Sequence, residues 1–167
     1  MTALSPELDV AVAAMAAENA RFVVVGGFSV IANRFVRATE DIDFLVPDDD
    51  QNDRRVLTAL TALGGARLRD DEPLEEKHLI DQTHLRAKTD AGIIDIIRGG
   101  LPPLDYETVE NRAMRADYGG VEFLVAGLSS IVGFKRLADR PRDRNDLIGL
   151  EEIHGELPIE KIPGLDG

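Results

Sequence analysis

Short apolar runs alternate along this chain with longer stretches whose apolar residues recur at helical spacing. Phe22 to Val25 is apolar and β-branched, which predicts a buried strand. Phe28, Ile31, Ala32 and Phe35 follow at helical spacing and predict a short helix. Asp41 to Val46 reads as a second strand, ended by Pro47. Upstream, Leu8, Val12, Met15 and Ala16 form the apolar stripe of a helix over about residues 5–19, with Ser5 as N-cap and Pro6 as first helical residue. Downstream, Val56, Leu57, Leu60 and Leu63 predict a helix over 52–63, stopped by Gly64-Gly65. The aspartates at 48–50 suit its capped, dipole-positive start better than a metal site.

Residues 67–69 read as a short strand, and 70–77 as a charged loop. The runs 84–88 and 93–97 flank a turn and predict a hairpin. A helix over 104–112 follows, then a hairpin of 113–117 and 121–125 around Tyr118-Gly119-Gly120. Two last helices are expected over 128–139, with Ser129 as cap, and over 144–153. The sum is an α/β (α+β) fold: a small mixed β-sheet flanked by helices, with a site at the sheet edge near Gly26-Gly27. Residues 1–154 are expected to form one domain, and 155–167, with Pro158 and Pro163, an extended tail.

Charge placement adds chemistry to this frame. Strand side chains alternate, so Asp41 and Asp43 share a face that Ile42 does not. Two carboxylates so close repel, and a divalent cation such as Mg²⁺ would relieve them. Gly26 and Gly27 sit where strand turns to helix, a place where backbone N–H groups can approach a phosphate. Ser29 adds a hydroxyl in the first turn. Asp95 interrupts Ile93-Ile94-Asp95-Ile96-Ile97, a local violation of the kind found at functional sites. The competing reading is a buried aspartate paired with Arg86 across the hairpin. Arg37, on the loop entering the aspartate strand, is read as a phosphate fork, against a surface pair with Glu40 or Asp41. Lys135 lies on a helix that otherwise packs on the sheet, must reach an anion or water, and is read as binding phosphate. Arg140 and Arg142 divide evenly between phosphate and acidic neighbours, and Asp143 and Asp146 read as caps. His78 and His84 receive no role. Phe28, Phe35, Tyr106 and Tyr118 are unranked candidates for base stacking.

Composition narrows the classes. The net charge of −12 disfavours broad binding along a nucleic-acid backbone, although basic residues cluster over 135–144. Absence of cysteine removes disulfides, thiolate nucleophiles and cysteine zinc sites, and fits a reducing cytoplasm. No leader and no bilayer-length apolar run is visible, so no membrane partner is expected.

Gly26-Gly27 followed by Arg37-Ala-Thr39-Glu-Asp41-Ile-Asp43 resembles the signature of the nucleotidyltransferase superfamily with the polymerase-β-like fold. More narrowly it resembles the small bacterial MNT-type and abortive-infection type E toxin nucleotidyltransferases. Lys135 followed by Arg142-Asp143-x-x-Asp146 resembles the late motif of the same groups. The resemblance implies a nucleoside triphosphate donor, Mg²⁺ or Mn²⁺ at Asp41, Asp43 and Asp95, and Asp95 as general base. It places Arg37 and Thr39 beside the metal, and phosphate on Gly26, Gly27, Ser29, Lys135 and Arg140. The acceptor is left open among a tRNA end, a protein and a small molecule, and the toxin groups imply an antitoxin-type partner. The alternative is a catalytically silent member that binds a nucleotide or a partner protein.

Overall fold

The computed structural model describes residues 6–167. Among them, seven strands form one mixed sheet. In chain order these are β1 (Val23–Val25), β2 (Asp41–Val46), β3 (Ala66–Arg67), β4 (His84–Thr89), β5 (Gly92–Arg98), β6 (Met114–Tyr118) and β7 (Val121–Val125). The helices are α1 (Leu8–Ala17), α2 (Gly26–Ala32), α3 (Asp50–Ala62), α4 (Tyr106–Asn111), α5 (Leu128–Ala138) and α6 (Pro141–His154). The spatial order is β3-β4-β5-β2-β1-β7-β6. β2 runs antiparallel to β1 and parallel to β5, and β1 runs parallel to β7.

Period-two alternation divides the sheet into two unlike faces. Val24, Ile42, Phe44, Ile94 and Ile96 point to one side and bury against Val12 and Met15 of α1 and Val56 and Leu60 of α3. Each such side chain contributes roughly 1.5–3 kcal/mol by leaving water. On the other face, Val23, Val25 and Leu45 pack with Val109 of α4, Ile131 of α5 and Leu150 of α6. Helices cover the β1 half of that second face. The β2–β5–β4 half carries Asp41, Asp43, Asp95, Arg86 and His84 instead.

Several expectations change. The diglycine follows β1, which lies inside the sheet, so the site is at mid-sheet and not at its edge. Ser5 lies outside the described residues. Glu7 is the N-cap of α1, Pro6 precedes it, and Ala11 replaces Ala16 in the buried stripe. The aspartate run does cap α3 as expected, with Asp49 accepting from the Asn52 backbone N–H at 2.9 Å. Gly127, not Ser129, precedes α5. α6 starts at Pro141, three residues earlier than expected, because proline suits a first helical position whose N–H is unpaired anyway. The chain after α6 folds back on α5, where Ile162 is buried near Gly133 and Arg136 bonds Asp166 at 2.8 Å. No helix among the described residues is long and apolar enough to cross a membrane.

Candidate active site

β-sheet register builds the acid cluster. Asp43 and Asp95 are Cα partners across the parallel β2–β5 pair, and Arg86 is the partner of Asp95 across β4–β5. Register partners point to the same face, so Arg86, Asp95 and Asp43 form one row running into Val25, the last residue of β1. Asp41 stands two residues before Asp43 on that face. Asp95 is 5% exposed, and its Oδ1 lies 2.8 Å from His84 Nε2. Arg86 Nη2 donates to Asp41 Oδ2 at 2.9 Å, and its Nε stands 3.9 Å from Asp95 Oδ1. Among the described residues, no cation is in direct contact with Asp43. Burial, then the charges of Asp95 and Asp41, push its carboxyl up to about 7, with Lys135 only partly offsetting them.

The glycines fit tightly against this cluster. Gly26 has φ +67°, and a Cβ there would collide with the Asp43 carboxylate. A Cβ on Gly27 would strike the Thr39 hydroxyl. Glycine is therefore required by close approach at both positions, and by the left-handed backbone at the first. Thr39 Oγ1 donates to the Asp41 carbonyl at 3.2 Å, bracing the entry to β2. Ser29 is buried, and its hydroxyl donates to the Gly26 carbonyl at 2.6 Å.

Arg37 finds neither Glu40 nor Asp41. It forks onto Asp146 of α6, with Nε and Nη2 donating at 2.6 and 2.9 Å. Lys135 is 7% exposed and lies 2.9 Å from both Asp143 and Asp146. Arg140 Nε donates to Asp143 at 2.7 Å. Asp143 also accepts from the Arg140 backbone N–H at 3.1 Å, so it caps α6 from the third helical position. Asp146 makes no cap. Burial alone would raise both aspartates. Hydrogen bonds from Arg140 and Lys135 override it and hold Asp143 down to about 2, and bonds from Arg37 and Lys135 lower Asp146.

Both assemblies meet in one polar pocket of about 260 Å³, lined by Gly26, Gly27, the three acids, Arg37, Thr39, Lys135 and Arg140. An apolar pocket of about 210 Å³ opens beside it under α5, with Ser29, Leu45, Ile131 and Phe134 in its wall and Gly26, Asp43, Ile97, Lys135 and Arg140 shared. Every residue singled out for the site thus lines one of two adjoining pockets. The aromatic candidates do not: Tyr106 is buried and bonds Glu110, Phe35 packs on Gly149, Phe28 packs on the core, and Tyr118 is exposed on β6. Phe134 is the aromatic residue at the site.

His84 and Arg86 enter the site without a role assigned to either as a site residue. Their alternation on β4 was visible, since residues 84, 86 and 88 are basic and 85 and 87 apolar. The hairpin that sets Arg86 opposite Asp95 was visible too, but the contacts of Arg86 with Asp41 and of His84 with Asp95 were not. The donor set suits a hard divalent ion by type and face: three carboxylates, one of them without a counter-cation. In this structure Asp41 is bonded to Arg86 and Asp95 to His84. Among the described residues no group of three or more His, Asp or Glu side chains is arranged to hold a metal ion.

Comparison with known proteins places this geometry. The family described as nucleotidyl transferase AbiEii toxin, type IV toxin–antitoxin system, matches residues 10–146. A crystal structure of ANT(2″)-Ia in complex with adenylyl-2″-tobramycin superposes with a TM-score of 0.60 at 17% identity, covering 89% of this chain and 87% of that one. A solution structure of the antibiotic-resistance factor ANT(2″)-Ia gives 0.61 at 15% identity, covering 89% and 82%. No curated protein matches the sequence. The two structures show a shared polymerase-β-like fold. The matched span holds the diglycine, all three acids, Lys135 and both aspartates of α6, and the chain belongs to the AbiEii toxin family of nucleotidyltransferases.

Proposed function

We propose that this protein transfers the nucleoside monophosphate of a nucleoside triphosphate to an acceptor hydroxyl, with Mg²⁺ or Mn²⁺, as the toxin of a toxin–antitoxin pair. One observation carries the reading: three carboxylates share a face beside a diglycine bend, and burial and mutual repulsion hold Asp43 near pKa 7. Asp41, Asp43 and Asp95 would hold the metal, which supplies charge neutralisation at the phosphates when bound. Gly26 and Gly27 let backbone approach the phosphates, and Lys135, Arg37 and Arg140 set positive charge along the same pocket. Asp95 would take the proton of the acceptor hydroxyl. The acceptor oxygen bonds the α-phosphorus, the bond to the bridging oxygen breaks, and pyrophosphate leaves. Positioning and charge stabilisation carry most of the rate. The acceptor class — tRNA end, protein or small molecule — is open, and an antitoxin-type protein is the expected partner.

The test is calorimetric titration with each nucleoside triphosphate and Mg²⁺, followed by labelled transfer. Wild type is expected to bind, and Asp41→Ala plus Asp43→Ala to lose binding. Undiminished binding in that variant overturns the reading. A second reading is a silent member that binds nucleotide or partner without transfer. The engagement of Asp41 by Arg86 and of Asp95 by His84 favours it. Metal-dependent binding with no product across RNA, protein and small hydroxyl acceptors would select it.

A further inference from the structure

We infer that Arg86 is an exchangeable counter-cation of the acid cluster, competing with the divalent metal for Asp41 and Asp95; this rests on the metal assignment proposed above. Its guanidinium uses an oxygen of Asp41 at 2.9 Å and approaches an oxygen of Asp95 at 3.9 Å. Those are two of the three carboxylates that would ligate the ion. A guanidinium and a hard divalent ion draw on the same few carboxylate oxygens, and each weakens the other's hold by charge repulsion and by taking lone pairs.

The placement is built into the sheet. Arg86 is locked opposite Asp95 by the β4–β5 register, and the row continues to Asp43. Its anchoring is nevertheless light. The side chain is 45% exposed, so its ion pair is weak and release into solvent costs little. Contrast Lys135, shut beneath α6 between two aspartates. Arg86 also lines a second, basic groove of about 680 Å³ with Arg67, Arg69 and Lys77. A guanidinium leaving Asp41 therefore stays beside the site. The consequence is a site whose acids are held together without metal, at the expense of metal affinity.

The test measures Mn²⁺ affinity by calorimetry and by electron paramagnetic resonance, with no substrate present. Arg86→Gln is expected to bind Mn²⁺ about 5–10-fold more tightly than wild type, and to melt lower than wild type in EDTA. Its gain in melting temperature on adding Mn²⁺ should then be the larger of the two. Arg86→Lys keeps the charge but cannot span two carboxylates, and is expected to tighten binding about 2–3-fold. Lys88→Gln removes the same charge two residues along the same strand face, where Lys88 pairs with Asp71 at 2.6 Å. It is expected to change affinity less than 2-fold. Unchanged or weaker Mn²⁺ binding in both Arg86 variants overturns the inference, as does equal tightening in Lys88→Gln, which would reduce the effect to net charge. Wild type that binds Mn²⁺ while ignoring Arg86 sinks this inference alone. Failure of wild type and both Arg86 variants to bind sinks the metal reading with it.

Discussion

Two clusters of carboxylates adjoin the site, one on the sheet and one between α5 and α6, and they have opposite electrostatics. The α5–α6 cluster is the more deeply buried, with Asp143 0% and Asp146 1% exposed. It is nonetheless satisfied, because Arg37, Lys135 and Arg140 supply three cations to two acids. The sheet cluster has three acids, and among the described residues only Arg86 and His84 touch two of them. Its third acid, Asp43, is driven upward to about 7, while Asp143 is held near 2. Burial raises a carboxylate in both places, so the count and contact of the cations decide the sign. The balanced cluster is a structural joint. The unbalanced one is where an added cation would do most, and that makes it the centre of the proposed chemistry.

The largest effect is expected from unbalancing the balanced cluster. Asp146→Ala strips Arg37 of its fork and Lys135 of one of two partners while leaving both cations under α6. Removing one side of a buried pair costs about 3–5 kcal/mol. Urea denaturation should show that loss, with the slope of the transition unchanged. A loss below about 1 kcal/mol would mean that the joint is solvated and that the two clusters do not differ in kind.

The two clusters should also give opposite pH slopes in EDTA. Asp43 has a folded pKa of about 7 against an ordinary 3.8, so between those values the folded protein holds a proton that the unfolded chain has lost. Stability from this group therefore falls as pH rises from about 4 through 7, by about 2–4 kcal/mol. Asp143 runs the other way. Its stabilisation is present above about pH 4 and is lost as pH falls through about 2. Asp53, which burial raises to about 6 against the pull of Arg98, adds to the first slope. Asp43→Asn isolates the part that belongs to the sheet cluster. It should match wild type near pH 4 and exceed it at pH 8. An identical slope in wild type and variant would remove Asp43 as the strained acid.

Sequence made the sheet cluster more legible than the joint. Asp41-Ile-Asp43 and Ile-Ile-Asp95-Ile-Ile declare themselves because strand periodicity assigns each carboxylate a face, and the structure puts all three on one. The hairpin of β4 and β5 was also visible, and with it the closeness of Arg86 to Asp95. That Arg86 bonds Asp41 more closely than Asp95 depends on how β2 sits against β5, a pairing set by tertiary packing and not by any local signal. His84 carries no local signal, because its partner is a carboxylate on the next strand. Lys135 is read from sequence as a phosphate ligand, whereas its partners in this structure are carboxylates. The anions here are Asp143 and Asp146, one helix on. A carboxylate near a helix start looks the same in sequence whether it caps backbone, binds lysine or, like Asp143, does both.

The smallest effect tests whether geometry or charge holds the joint together. Arg37→Lys keeps the charge beside Asp146 but replaces a planar fork with a single ammonium. The bond that survives is monodentate, and the expected cost is about 1–2 kcal/mol. Charge alone would predict almost none. The single substitution could also act by disturbing the loop, because Arg37 Nη1 donates to the Ala38 carbonyl at 2.8 Å. A double-mutant cycle separates the two. If the fork is responsible, Arg37→Lys should cost far less in an Asp146→Asn background, with a coupling energy of about 1 kcal/mol. If the two losses simply add, Arg37 acts through the loop that leads into β2. The joint would then be held by Lys135, Arg140 and their aspartates, and its cations would outnumber its acids no longer.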